Sequence, residues 1–187
     1  MELFALGIWN AWLLSLPFIV LPLIALSAFG VGAKKEIAKR MSDMTGFTVK
    51  EKVFTVISSV SPYPFMLATV WAPFTTMLPL LCFGLLLYSA GIAMFAASLK
   101  VIFETPPDQP FNEGPYRISR NPVYVGATLV FMGICAATAN LVLAGYLAIA
   151  IITQHVMILA EERICRVKYG EVFEDYLKNV PRYLFIK

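Results

Sequence analysis

The placement of charge constrains this chain more than any motif does. All 15 Lys and Arg fall within 34–52, 100–120 and 163–187, and every acidic residue except Glu2 lies within 36–51, 104–113 or 161–175. Three stretches, 3–33, 53–99 and 121–160, are left without a charge; they span 31, 47 and 40 residues. A helix rises about 1.5 Å per residue and a bilayer's hydrocarbon core is about 30 Å thick, so one crossing takes roughly 20 residues. The three stretches therefore hold one, two and two crossings, and the expectation is an all-α integral membrane protein with five transmembrane helices. Composition agrees, with 59% of residues hydrophobic and 14% charged, against about 25% charged in a soluble domain.

The net charge of +3 is spread over three segments, which argues against nucleic-acid binding. Cys82, Cys135 and Cys165 show no Cys-x-x-Cys spacing and read as packing thiols. The first apolar run lacks a basic leader and far exceeds a signal core, so it reads as a retained span. The segment 32–52 carries six basic and three acidic residues, whereas the breaks near Ala72-Pro73 and near Ala139-Asn140 carry none. By the positive-inside tendency the charged windows face the cytoplasm, with the N-terminus outside and the C-terminus inside.

Three N-terminal spans are expected within 1–99, at roughly 4–29, 53–71 and 76–99, with a cytoplasmic loop at 32–52. Trp9 and Trp12 suit the outer interface. Residues Lys35 to Met44 form either a short interfacial helix, with Ile37, Met41 and Met44 at helical spacing, or a solvated connector. Pro62 and Pro64 predict a kink in the second span. In the third, Gly84, Gly91 and neighbouring alanines allow close helix packing. Region 100–187 is expected to comprise a structured cytoplasmic loop over 100–121, rich in proline, then a helical hairpin turning near Asn140, then a helical tail. Asn121-Pro122 reads as a helix start, with Asn as the capping acceptor. The last span continues through Tyr169 to Gly170, and a short helix follows from Phe173 to Val180.

No glycine-rich dinucleotide fingerprint and no phosphate-binding loop occurs. His155 is the lone histidine, so no metal site is expected and the residue reads as a polar packing or helix-bonding group. What remains is a cluster at one membrane boundary: Gly114-Pro115-Tyr116-Arg117-Ile118-Ser119-Arg120-Asn121-Pro122-Val123-Tyr124 and the pair Glu161-Glu162. Carboxylates at that depth need cations, and Arg117, Arg120 and Arg163 lie at the same level. Composition alone leaves open whether these residues do chemistry or anchor the topology.

Gly-Pro-Tyr-Arg-x-x-Arg-Asn-Pro-x-Tyr-x-Gly at 114–126, Glu-Glu at 161–162, Tyr-Gly at 169–170 and Val-Pro-Arg at 180–182 together resemble the isoprenylcysteine carboxyl methyltransferase family, itself similar to membrane phospholipid N-methyltransferases. The resemblance covers roughly 100–187. It implies an S-adenosylmethionine-dependent O-methyltransferase, with S-adenosylhomocysteine as product. The acceptor it implies is the carboxylate of a lipidated, prenylated-cysteine-type substrate arriving from the bilayer lipids. It further implies cofactor contacts from Gln109, Pro110, Phe111, Tyr116, Asn121, Pro122, Tyr124 and Glu161; the candidates for catalytic roles beside them are Arg120, Glu162 and Arg163. Aromatic rings suit a sulfonium, and a carboxylate suits ribose hydroxyls or an amine.

Two positions depart from the family pattern. Asn121 replaces the motif histidine and removes a titratable group. Met157 stands where prenylcysteine-methylating members carry an arginine for the substrate carboxylate, so Arg120 or Arg163 would take that role or the acceptor differs. A carboxylate acceptor is already ionised at neutral pH and needs alignment rather than a base. An ethanolamine head group, the other acceptor considered, must lose a proton, and Glu162 is then the expected base. A non-enzymatic membrane scaffold is the remaining reading. The kink at Pro62 and Pro64 offers a lateral path for the acceptor.

Overall fold

A computed structural model describes residues 7–106 and 109–185 of the chain; Glu2 and two residues of the proline-rich loop, 107 and 108, lie outside them. Every regular element of the described residues is helical: α1 Trp12–Ser27, α2 Val31–Ser42, α3 Val49–Val60, α4 Pro62–Ala68, α5 Leu78–Glu104, α6 Pro122–Thr138, α7 Leu141–Tyr169 and α8 Glu171–Asn179. Single 3-10 turns follow α4 at Thr69–Trp71 and precede α6 at Gly114–Arg117.

Among the described residues three rods are long and apolar enough to cross a membrane: Val49–Trp71, α5 and α7. The first comprises α3, α4 and the turn after them. It is interrupted at Ser61, where Pro62 occupies the first position of α4, as the prolines predict. The shorter apolar helices α1 and α6 have 16 and 17 residues, about 24 and 26 Å of rise. Of the five expected spans, three correspond to rods of membrane-crossing length and two to shorter apolar helices. The protein is read as a multi-pass membrane protein on that basis.

The tightest packing joins α5 to α6, and glycine explains it. A Cβ on Gly84 would sit 2.7 Å from the Gly133 carbonyl oxygen, and one on Gly91 would sit 2.8 Å from that of Gly126. Backbones at this distance exclude any side chain, so the two helices meet surface to surface as small-residue membrane packing allows. Phe18 of α1 stacks on Phe95 of α5 with ring centroids 4.6 Å apart and also meets Phe131 of α6. The turn between α6 and α7 is tight, with Ala139 in the left-handed region at φ 50° and the Asn140 side chain accepting from the Val142 and Leu143 amides. The two helices diverge from it: α6 packs on α5, and α7 packs chiefly on α3.

Three boundaries differ from the sequence reading. α5 runs on to Glu104, so 100–104 belongs to the helix and the loop begins at Thr105, because no proline or glycine occurs from Lys100 to Thr105. The segment after α1 is a helix from Val31 to Ser42, which decides for a helix over a plain connector. Asn121 stands at the N-cap of α6, but its side chain does not cap. Its amide donates instead to Glu162 and to the Arg182 carbonyl, at 3.1 and 3.3 Å, while Ser119 Oγ accepts from the Asn121 backbone amide.

Candidate active site

One end of the bundle collects all the charged windows. α5 stops there, α6 starts there, and α7 carries its charged last third there. Glu161, Cys165 and Lys168 recur at helical spacing along that third of α7, which brings them onto one face. Together with α2, α8, Phe29 just beyond α1, and loop residues 105–106, 110–111, 116 and 120–121, they enclose a cavity of about 520 Å³, within the range of small-molecule sites.

The polar half of the cavity is built from the boundary cluster. Tyr124, in the first turn of α6, donates from its hydroxyl to both oxygens of Glu161, at 2.8 and 3.1 Å. Tyr116 is buried in the 3-10 turn and packs against Phe111 at 5.2 Å between centroids. Burial pushes the Tyr116 and Tyr176 phenols above their ordinary value, so both remain donors; the Tyr176 hydroxyl donates to the Tyr116 carbonyl at 2.7 Å. Phe173 and Tyr176 of α8 complete the wall.

Beside it lies an ion cluster. Glu162 is buried and accepts from Arg182 Nε at 3.1 and 3.2 Å, from Arg182 Nη2 at 3.0 Å and from Asn121 Nδ2 at 3.1 Å. Arg120 is also buried, and its Nε stands 3.5 Å from Glu162 Oε1 without a hydrogen-bond partner. Burial lowers the Arg120 pKa against the pull of Glu162, while the hydrogen bond to Glu162 raises that of Arg182 against burial. Both groups stay cationic at neutral pH, since arginine starts above 12. The tail is stitched to the same place: Arg120 N donates to the Pro181 carbonyl at 2.9 Å and Ser119 Oγ to the Arg182 carbonyl at 3.1 Å.

The apolar half is lined by Phe29, Ile37, Met41, Phe47, Phe103 and Ile164. No residue of 53–71 lines it, so the interruption at Pro62 and Pro64 lies away from the cavity and the lateral path expected there does not lead to it.

Of the expected cofactor contacts, Pro110, Phe111, Tyr116, Asn121, Tyr124 and Glu161 line the cavity. Gln109 does not; its carbonyl accepts from Arg40. Pro122 is buried at the start of α6 and also stands outside the lining. Arg120 and Glu162 reach the cavity. Arg163 does not, because it is one residue, about 100° of helical turn, beyond Glu162; it bonds to the Gly46 carbonyl and to Glu51, at 3.1 and 2.7 Å. Met157 is buried in the helix interior. His155 contacts the Tyr183 hydroxyl at 2.7 Å, a bond to the tail rather than between spans. Two site residues went unforeseen. Arg182 lies in the Val-Pro-Arg motif, a usable signal, whereas Arg40 is distant in sequence and carries none. Among the described residues no group of three or more His, Cys, Asp or Glu could hold a metal.

No curated protein and no solved structure matches the chain. The phospholipid methyltransferase family matches residues 78–172, which runs from the start of α5 into α8. Its members use S-adenosylmethionine. The cavity suits such a group, with aromatic rings for a flat base or a sulfonium and carboxylate and guanidinium groups for a zwitterionic amino acid portion. With half of its length matched, from the glycine-packed helix through both halves of the polar cluster, this chain belongs to the phospholipid methyltransferase family.

Proposed function

We propose that the protein transfers a methyl group to the carboxylate of a lipidated substrate, of which a prenylated cysteine is the type. The Arg120–Glu162–Arg182 cluster is the observation that carries this reading. It sets two guanidiniums against one carboxylate, with Arg120 and Glu162 at the cavity wall, and it leaves a buried Arg120 Nε without a hydrogen-bond partner. A buried donor without a partner costs about 1–3 kcal/mol, and an anionic acceptor would relieve that cost. Glu162, the base an amine acceptor would call for, already accepts from Arg182 and Asn121.

S-adenosylmethionine supplies the methyl group already activated as a sulfonium. Tyr116, Tyr124 and Phe111 would face it, Glu161 would receive its hydroxyl or amino groups, and Arg120 would orient the acceptor carboxylate. The work of the chain is alignment and exclusion of water, which together contribute up to roughly 7–11 kcal/mol. The apolar half, from Phe29 to Ile164, would take the lipid chain. By the positive-inside tendency the site faces the cytoplasm.

Methylation of a lipid amine is the second reading, favoured by the carboxylates of Glu36, Asp43 and Glu104 along the same cavity. Purified protein in detergent should bind S-adenosylhomocysteine in calorimetry, and Glu161→Ala and Tyr124→Ala should each abolish binding. Absence of binding by the unaltered protein up to millimolar concentration would sink the methyltransferase reading. Transfer of labelled methyl to N-acetyl-farnesylcysteine, at a rate flat above about pH 6, supports the carboxylate acceptor. Transfer to phosphatidylethanolamine, at a rate rising toward alkaline pH, supports the amine.

A further inference from the structure

Thr105, Pro106, Pro110 and Phe111 contribute one wall of the cavity. Thr105 is extended, Pro106 and Pro110 have no amide hydrogen to donate, and Gln109 N donates to the Pro106 carbonyl at 3.2 Å. The carbonyls of Thr105, Pro106 and Gln109 turn toward α2. A residue from a different part of the chain takes them up. Arg40, on α2, donates from Nη1 to the Thr105 and Pro106 carbonyls, both at 3.1 Å, and from Nη2 to the Gln109 carbonyl at 2.7 Å. The same guanidinium lies over the Phe111 ring, 4.2 Å from its centroid, and Phe111 in turn packs on Tyr116.

We propose that Arg40 is a positioning residue for the cavity: it fixes the backbone at Thr105, Pro106 and Gln109 from outside the family-matched region and, through Phe111, sets the Tyr116 ring against which the cofactor packs. The proposal rests on the methyltransferase reading for its binding readout but not for its structural one. A planar fork of five donors can bridge three carbonyls and stack on a ring at once, whereas an ammonium is a point charge and cannot do both. Charge alone is therefore insufficient at this position, and Arg40→Lys is the discriminating variant. α2 lies outside residues 78–172, so this clamp comes from the chain's N-terminal region and acts on a cavity whose remaining walls lie largely within the family-matched residues.

The test uses the full-length protein in detergent, without ligand and then with S-adenosylhomocysteine. In Arg40→Lys, amide exchange across 109–118 should accelerate about tenfold, with exchange in α5 and α6 and the thermal midpoint unchanged, and product affinity should fall about tenfold. Phe111→Leu, which keeps the three carbonyl bonds, should weaken affinity while leaving exchange at Gln109 as in the unaltered protein. Unchanged exchange and affinity in Arg40→Lys would overturn the proposal. So would faster exchange throughout the helices with a lowered midpoint, since Arg40 would then be a general stabiliser. If the unaltered protein binds no product, the methyltransferase reading falls, and the exchange measurement still decides the clamp.

Discussion

Where α1 begins, the bundle is closed by backbone and short side chains. Ala11 N donates to the Ala72 carbonyl at 3.0 Å, Thr75 N to the Ala137 carbonyl at 2.8 Å, and Asn10 Nδ2 to the Val70 carbonyl at 2.9 Å. At the opposite end the closure is made by long charged side chains: Arg40 on the loop, Arg163 on Glu51, and Arg182 on Glu162. These contacts set backbone directly against backbone, with Ala11, Ala72 and Ala137 at 0% exposure. Guanidiniums spanning several ångströms hold elements together at a distance, and a cavity of about 520 Å³ survives between them. One end is a seal and the other is a scaffolded opening, built from the same set of helices.

The sharpest break of that contrast is Glu162→Ala. It strands two guanidiniums, Arg120 buried and Arg182 partly so, and the Asn121 amide, and removing one partner of a buried ion pair costs about 3–5 kcal/mol. Thermal unfolding in detergent should show the largest loss of the set, and the tail beyond Val180 should become protease-sensitive because Arg182 no longer ties it down. A stable variant with a protected tail would mean that the cluster does not hold that end together.

Asn140→Ala tests the sealed end. It removes the acceptor for the Val142 and Leu143 amides, and losing such a cap costs about 0.5–2 kcal/mol. Product binding should be unchanged in the folded variant, because the cavity lies at the other end; weakened binding would show the two ends to be coupled. The smallest effect should come from Arg163→Ala. Its guanidinium is half exposed and bonds to Glu51, and exposed pairs contribute little. The thermal midpoint should hardly move, and methyl transfer should persist; a collapse of turnover with binding intact would return Arg163 to the reacting centre.

The sequence disclosed the helices far better than their mutual arrangement. Charge-free runs located every apolar helix, and Gly84 and Gly91 announced a close contact without naming its partner. Tyr116, Tyr124, Glu161, Arg120 and Glu162 were legible because a resemblance singled out their spacing, and all five meet at one cavity. Arg163 belonged to the same string of letters as Glu162, yet a single step along a helix turns a side chain by about 100°, and it faces the α2–α3 connection instead. Asn121 had the right type for a cap, but a buried carboxylate offered its amide a stronger partner than the helix end offered its oxygen.

Composition and periodicity by themselves determined that this chain is a bundle of apolar helices with its charge gathered at a few boundaries, because a bilayer penalises each misplaced charge locally, residue by residue. Tertiary structure decided which cations answer which carboxylates, where the cavity opens, and that Arg40 reaches a loop some 65 residues further along the chain. Those are contacts between distant segments, fixed by the angle and register at which helices pack, and neither quantity is written in any one segment's sequence.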